Sequence, residues 1–194
     1  MIQVIRASLV STLFFTLLLG VAYPLAVTGI AGVAFPTQAG GSLIHGKDGQ
    51  VIGSALLAQG FAKPQYLHPR PSAAGTDGYD ASGSSGSNLG PTNPALIERI
   101  GGAAKDLRAE NGVSAVPVDA VTTSGSGLDP DISPENARMQ TARIAKARGM
   151  APARVEAIIA ANAKGPWLGV FGQPHVNVLA VNLALDAAGP TAHP

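Results

Sequence analysis

The chain has 194 residues, a formal net charge of +1 and no cysteine. That balance provides no electrostatic footprint for nucleic acid or an acidic surface. The missing thiols exclude disulfides, thiolate chemistry and Cys-based metal sites together. Aromatic residues make up only 5%, with 24 glycines and 15 prolines, so an aliphatic core and many loops are expected.

The first predicted element is one apolar segment, from Ala7 to Ala34, preceded by residues 1–6. No Asp, Glu, Lys or Arg occurs between Arg6 and Lys47, and thirteen residues between Leu9 and Val33 are Leu, Ile, Val or Phe. A helix over about 25 such residues is about 38 Å long, more than the ~30 Å hydrocarbon core of a bilayer. It is therefore predicted to cross a membrane. Pro24, costly in a soluble helix, is tolerated in a bilayer as a kink, and Gly20, Gly29 and Gly32 leave a thin surface for another helix. The alternative is a cleaved signal peptide, with Gly32-Val33-Ala34 as its cleavage site, but signal-peptide apolar cores usually run only about 7–15 residues. Arg6 precedes the segment and the nearest later cation is Lys47. The positive-inside rule then favours a cytoplasmic N-terminus and an exported domain over residues 35–194.

In that domain Ser42–Ile44 and Val51-Ile52 flank the polar turn Gly46–Gly49, the pattern of a β-hairpin. Leu56 and Leu57 either extend its second strand or begin a short helix. Residues 62–93 lack periodic apolar positions. They are expected to form an ordered loop anchored by Tyr66, Leu67, Tyr79 and Leu89. Asn93 and Pro94 are N-cap and first residue of a helix whose apolar face is Leu96, Ile100, Ala103 and Leu107, closed by Asn111-Gly112. A strand is predicted over Val116–Val121, then a loop from Thr122 to Pro130. Ser133-Pro134-Glu135 opens a helix that Gly149 closes, and Pro152 opens another that buries Val155, Ile158 and Ile159. Along Val176–Leu185 the alternation changes phase at Val181, which predicts a bulge or a switch to helix. The fold class is thus a single N-terminal transmembrane helix plus one mixed α+β extracytoplasmic domain.

The possible constellations are weak. Two glycine–serine loops, Gly83–Asn88 and Ser124–Gly127, have the composition of anion-binding turns, but no P-loop Lys-Ser/Thr follows either. Ordered turns are the simpler reading. Serines with His68, His175 and several aspartates are the raw material of a hydrolase, yet no Gly-x-Ser-x-Gly elbow occurs. Asp119, Asp129 and Asp131 lack EF-hand spacing. Asp129-Pro130 is expected to be a turn, and Asp131 a charge favoured near the next helix N-terminus. Arg138, Arg143, Lys146 and Arg148 do not share one stripe of a helix; a solvated helix, with one or two arginines paired to the Asp-rich loop, is expected. His45 and His175 are expected on the surface or in loops. Two prolines fix the backbone around Arg70 in His68-Pro69-Arg70-Pro71-Ser72, so this loop suits either a binding surface or a structural turn. A membrane-anchored domain without a catalytic constellation points to an accessory subunit. An exported hydrolase or binding protein using a Ser/Gly loop is the alternative.

Several motifs in order carry a resemblance: Tyr66–Ser72, Gly83–Pro91, Thr123–Pro130, Ile132-Ser133-Pro134, Gln140, Arg143-Ile144-Ala145, Arg148-Gly149 and Val176–Leu179. Together with the N-terminal helix, they resemble the KdpC family over nearly the whole chain. Leu67 and Asp131 depart from the residues typical there, Phe and His or similar.

The resemblance implies a KdpC-type component of the Kdp potassium-transporting P-type ATPase complex, in the bacterial inner membrane. Its implied partners are a KdpA-like potassium-binding subunit, a KdpB-like ATPase subunit and a KdpF-like small subunit, besides the lipid bilayer. The implied role is to stabilise assembly and to act as a catalytic chaperone raising the ATP affinity of the pump subunit. The chain needs no cofactor of its own, ATP and K+ being handled by its partners, and no catalytic or metal residue is assigned. The family's glycine–serine loop has been likened to an ABC-type signature. Carried over, that places nucleotide contact at Ser124, Gly125, Ser126, Gly127 and Gln140. His68, Arg70, Ser72, Asn88, Asp129 and Arg143 are expected in partner-contact or structural loops. An exported domain lies across the membrane from cytoplasmic ATP, so any effect on ATP affinity would pass through conformational coupling.

Overall fold

The computed structural model describes residues 1–189. The chain divides into two units, the first ending at Ile52 and the second beginning at Gly53.

In the first unit, α1 (Ile2–Leu17), a π turn (Leu18–Ala22) and α2 (Tyr23–Ala34) form one continuous helix. Among the described residues it is the one helix long and apolar enough to cross a membrane. The π turn has a local cause. Pro24 has no N–H to return to the preceding turn, and the Tyr23 N–H donates to the Leu18 carbonyl instead. The expected proline distortion is thus taken up as a π turn. A short α3 (Pro36–Ala39) follows, and β1 (Leu43–His45) pairs with β2 (Val51–Ser54). The expected hairpin is present, and the Gly46 N–H donates to the Gln50 carbonyl across its turn at 2.8 Å.

In the second unit Leu56 and Leu57 lie in a turn, neither strand nor helix. Residues 58–93 carry no regular element yet are anchored: Leu67 and Ala74 are fully buried. Then comes α4 (Pro94–Asn111), with the Asn93 side chain accepting from the Ala95 N–H and Gly112 closing it in the left-handed region. The strand expected at Val116–Val121 is instead a single helical turn, α5 (Val118–Val121). Pro117 stands extended before it and its carbonyl accepts the Ala120 N–H; this local closure overrides the β-branched composition. The helix expected from Ser133 to Gly149 is two: α6 (Pro134–Met139) and α7 (Thr141–Arg148), meeting at Gln140. In α8 (Pro152–Ala161) Val155 and Ile159 are buried.

Three short strands, β3 (Asp131-Ile132), β4 (Ala163-Lys164) and β5 (His175–Asn177), form an antiparallel sheet in the order β3-β5-β4. The final apolar run switches to helix α9 (Val178–Ala187) three residues before the expected phase change. Asn177 decides the position: its side chain accepts the Ala180 N–H as an N-cap. Leu67, Ile132, Ile144, Val155, Ile159, Val176, Val181 and Leu185 meet in one core cluster. Burying each such side chain contributes about 1.5–3 kcal/mol. An irregular segment thus supplies one of the best-buried residues, Leu67, and polar side chains hold it there.

Candidate functional site

The segment Pro64–Arg70 runs without a strand neighbour, so its backbone groups need other partners. Amide and guanidinium side chains provide them. At Leu67, the Asn182 Oδ1 accepts the N–H at 2.7 Å and the Asn182 Nδ2 donates to the carbonyl at 2.9 Å. At the next residue, Gln140 Oε1 accepts the His68 N–H at 2.8 Å and Gln140 Nε2 donates to the His68 carbonyl at 3.1 Å. Arg143 Nη1 donates to the carbonyls of Pro64 (2.6 Å) and Tyr66 (3.0 Å). Arg148 Nε donates to the Gln65 carbonyl at 2.7 Å, and the Tyr79 hydroxyl donates to the Arg70 carbonyl at 2.9 Å. Side chains from α7, α9 and the α6–α7 junction thus stand in for a neighbouring strand.

These partners form a connected buried network. Gln140 Nε2 also donates to Asn136 Oδ1, and Gln140 Oε1 also accepts Arg143 Nη2. The Gln140 amide therefore uses both donors and accepts twice, its full ordinary capacity. Asn136 donates on to Asp119. Arg143 Nε reaches Asn111 Oδ1 and Glu110, each at 3.2 Å. Arg148 pairs with Asp186 at 2.7 Å and lies over the Tyr66 ring, 5.1 Å from its centroid. Arg143 and Arg148 are buried, which corrects the solvated-helix expectation: they serve the 64–68 backbone, Glu110 and Asp186, not the Asp-rich loop. Burial lowers the Arg143 pKa, and Glu110 opposes it. The His68 pKa is lowered, first by burial and then by the nearby Arg143 charge.

A second set of bonds binds the glycine loops to each other. Arg70 pairs with Asp129 at 3.0 Å and donates to the carbonyls of Thr122 and Thr123, each at 3.3 Å. The Ser72 hydroxyl donates to the Gly127 carbonyl at 2.6 Å and accepts the N–H groups of Ala74 and Tyr79. The Ser126 carbonyl accepts from the Ser85 N–H (2.9 Å) and the Ser84 hydroxyl (3.0 Å). Gly127 is in the left-handed region, at φ +66°, and a Cβ there would stand 2.8 Å from the Ala74 nitrogen and overlap the Ser85 carbonyl. The two loops pack too closely at that point for any side chain. Within Ser124–Gly127, the Gly127 N–H returns to the Ser124 carbonyl, and the next residue, Leu128, donates its N–H to the Ser126 hydroxyl. Asn88 is exposed, in the left-handed region at φ 52°.

The aspartates divide differently from expectation. Asp119 is the carboxylate at the α6 N-terminus, accepting the Ser133 N–H at 2.8 Å and the Ser133 hydroxyl at 2.9 Å. Asp131 lies in β3, accepting from Asn177 and facing His175 of β5 at 3.9 Å. Both aspartates and Asp129 line an open cleft of about 540 Å³ with Glu135, Arg70 and His175. Among the described residues no group of three or more His, Asp or Glu is arranged to hold a metal ion. The His68 Nε2 stands 3.1 Å from the Lys63 carbonyl.

The sequence pattern described as "K+-transporting ATPase, c chain" matches residues 5–187. The chain belongs to the KdpC family. It is 62% identical over 190 residues to the "Potassium-transporting ATPase KdpC subunit" of Caulobacter sp. (strain K31), covering 98% of this chain and 96% of that protein. The KdpC protein of Beijerinckia indica is 57% identical over 196 residues, covering 100% and 98%. That of Rhodopseudomonas palustris (strain BisB18) is 53% identical over 199 residues, covering 97% and 100%.

Of the KdpC motifs quoted from the sequence, Tyr66–Ser72, Gln140, Arg143 and Arg148 converge in the clamp. Ser72, Gly83–Gly86, Ser124–Gly127 and Asp129 form the loop-to-loop contact. Asn182 and Asn136 escaped sequence reasoning, and Asp119, weighed there only as a cation ligand, instead holds Ser133 at the start of α6. Asn182 carried a usable signal: an amide inside the apolar run Val176–Leu185 must find partners when buried.

Proposed function

We propose that this chain is a non-catalytic accessory subunit of an ATP-driven potassium uptake complex, held by one membrane span. The observation that carries the reading is the KdpC-family match over residues 5–187. The geometry supports it: the motif residues Gln140, Arg143, Arg70 and Ser72 turn their polar groups onto the domain's own backbone. Such a clamp suits a domain whose work is to dock, because the motif side chains are spent on holding its own backbone in place.

In this reading residues 1–6 are cytoplasmic, residues 7–34 cross the inner membrane and residues 35–194 form a periplasmic domain. The helix docks against the helices of its partner subunits. The domain sits at the extracytoplasmic face of the KdpA-like potassium-binding subunit. The KdpB-like subunit hydrolyses ATP, and a KdpF-like small subunit completes the assembly. The effect on ATP affinity is transmitted by conformational coupling. Ser124–Gly127 and Gln140 serve as ties between loops, not as nucleotide contacts.

The test is to express the tagged chain with its partner subunits. Recovery of the whole complex with potassium-dependent ATPase activity, and no ATP hydrolysis by the purified chain alone, is the expected result. Hydrolysis by the isolated chain, or full activity of a complex lacking it, would sink the reading.

A further inference from the structure

The chain from Gly165 to Pro174 contains no charged residue. It joins β4 to β5 and exposes four large apolar side chains: Trp167 (70%), Leu168 (71%), Val170 (77%) and Phe171 (63%). This is not a slack loop. The Trp167 N–H donates to the Phe171 carbonyl at 2.7 Å and the Phe171 N–H returns to the Trp167 carbonyl at 2.9 Å. Their rings touch, with centroids 5.8 Å apart. Leu168 is held at φ 53°, an uncommon conformation for a bulky residue. A strained, closed tip that presents Trp167 and Phe171 to solvent beside Leu168 and Val170 has the aromatic enrichment of an interface, with little ordering entropy left to lose.

The occupant follows from charge. The residues just after the tip, Gln173 to His175, line the open cleft that also holds Asp119, Asp129, Asp131 and Glu135 against the single arginine Arg70. An apolar element that enters a membrane surface is typically flanked by cations, which anionic headgroups attract. Here one cation, Lys164, flanks the tip, but the cleft at its base sets four carboxylates against Arg70, so the neighbouring surface is acidic on balance and is repelled by such headgroups. A protein surface with an apolar depression and a basic rim satisfies both halves of this one.

We propose that the Trp167–Phe171 hairpin, with the acidic cleft at its base, is the element by which this domain docks onto an apolar depression rimmed by Lys or Arg on a partner membrane subunit. The proposal rests on the accessory-subunit reading. The hairpin is the anchor, and the cleft sets orientation and salt dependence.

The test uses the assembled complex. Trp167→Ser with Phe171→Ser changes exposed side chains, so the melting temperature of the chain should not move. Recovery of the partner subunits on the tagged chain should fall on the order of tenfold or more. Glu135→Lys should weaken recovery less and flatten its dependence on salt. Because the chain has no cysteine, Phe171→Cys places a benzophenone label at one position before assembly, and crosslinking to a partner subunit is expected. Unchanged recovery of the double variant overturns the hairpin's role while the wild-type complex still supports the subunit reading. Failure of the wild-type chain to recover partners overturns the subunit reading itself. Trp167 is the chain's one tryptophan; quenching of its emission by brominated lipids in vesicles holding the chain alone assigns the tip to the bilayer, against the proposal.

Discussion

Asn182 holds Leu67 by both its backbone groups, accepting its N–H at 2.7 Å and donating to its carbonyl at 2.9 Å, across 115 positions of sequence. The Leu67 side chain is fully buried in the core cluster. One side chain therefore decides whether an irregular loop can place a leucine in the core without orphaned polar groups. Asn182→Leu keeps the γ-branched shape but leaves the Leu67 N–H and carbonyl unpaired in a dry environment. The expected loss is about 2–5 kcal/mol of unfolding free energy, measured by denaturant unfolding of the purified chain. A loss under about 0.5 kcal/mol would mean the loop finds other partners.

Arg143 reaches the Pro64 and Tyr66 carbonyls, Asn111 and Gln140 from one planar group. An ammonium cannot span that set of acceptors. Arg143→Lys is expected to cost on the order of 3 kcal/mol and to make the 63–68 segment the first protease-sensitive site. Arg138→Lys, at a surface bridge to Glu135, is expected to be neutral within about 0.5 kcal/mol. Equal effects of the two changes would contradict the clamp.

The glycine–serine loop offers a contrast between neighbours. Gly127 lies at φ +66° against the Ser85 and Ala74 backbone, whereas a Cβ on Gly125 meets nothing within 4 Å. Gly127→Ala is expected to destabilise by about 2–4 kcal/mol, and Gly125→Ala to leave stability and the potassium-dependent ATPase of the complex unchanged. If Gly125→Ala instead abolished ATP stimulation without unfolding the chain, the loop would be contacting nucleotide.

Acid should loosen the clamp through His68. Its pKa lies below the ordinary 6.5, first because burial disfavours the imidazolium and then because of the Arg143 charge. Below pH 6.5 the unfolded chain takes up a proton that the folded domain resists, so stability falls with pH. The contribution is fully present above 6.5 and is lost as the pH descends through the folded value. The melting temperature should fall more steeply from pH 7 to 5 in the native chain than in His68→Gln. Parallel curves would remove His68 as the cause.

Much of this was legible in sequence because it is local. The apolar N-terminal run, the Asn93-Pro94 and Ser133-Pro134 helix starts and the glycine stops at Gly112 and Gly149 each follow from a few adjacent residues. Val116–Val121 failed as a strand because a proline-led turn closed on itself, and α6–α7 broke at Gln140, whose side chain is taken by His68. The motifs Tyr66–Ser72 and Ser124–Gly127 were visible as motifs, but not as partners. That Ser85 meets Ser126, or Asn182 meets Leu67, is a long-range fact with no periodic signal. For the same reason buried Arg143 and Arg148 resembled solvated cations: burial is set by a loop some 80 residues upstream.

The account turns on which side of the membrane the domain lies, and topology mapping tests that most directly. An exported-only reporter and a cytoplasm-only reporter would each be fused after Pro194, with the helix Ile2–Ala34 intact. The account predicts activity of the exported reporter in the membrane fraction, which leaves only indirect routes to ATP. Activity of the cytoplasmic reporter would contradict it and bring the Ser124–Gly127 loop within reach of nucleotide.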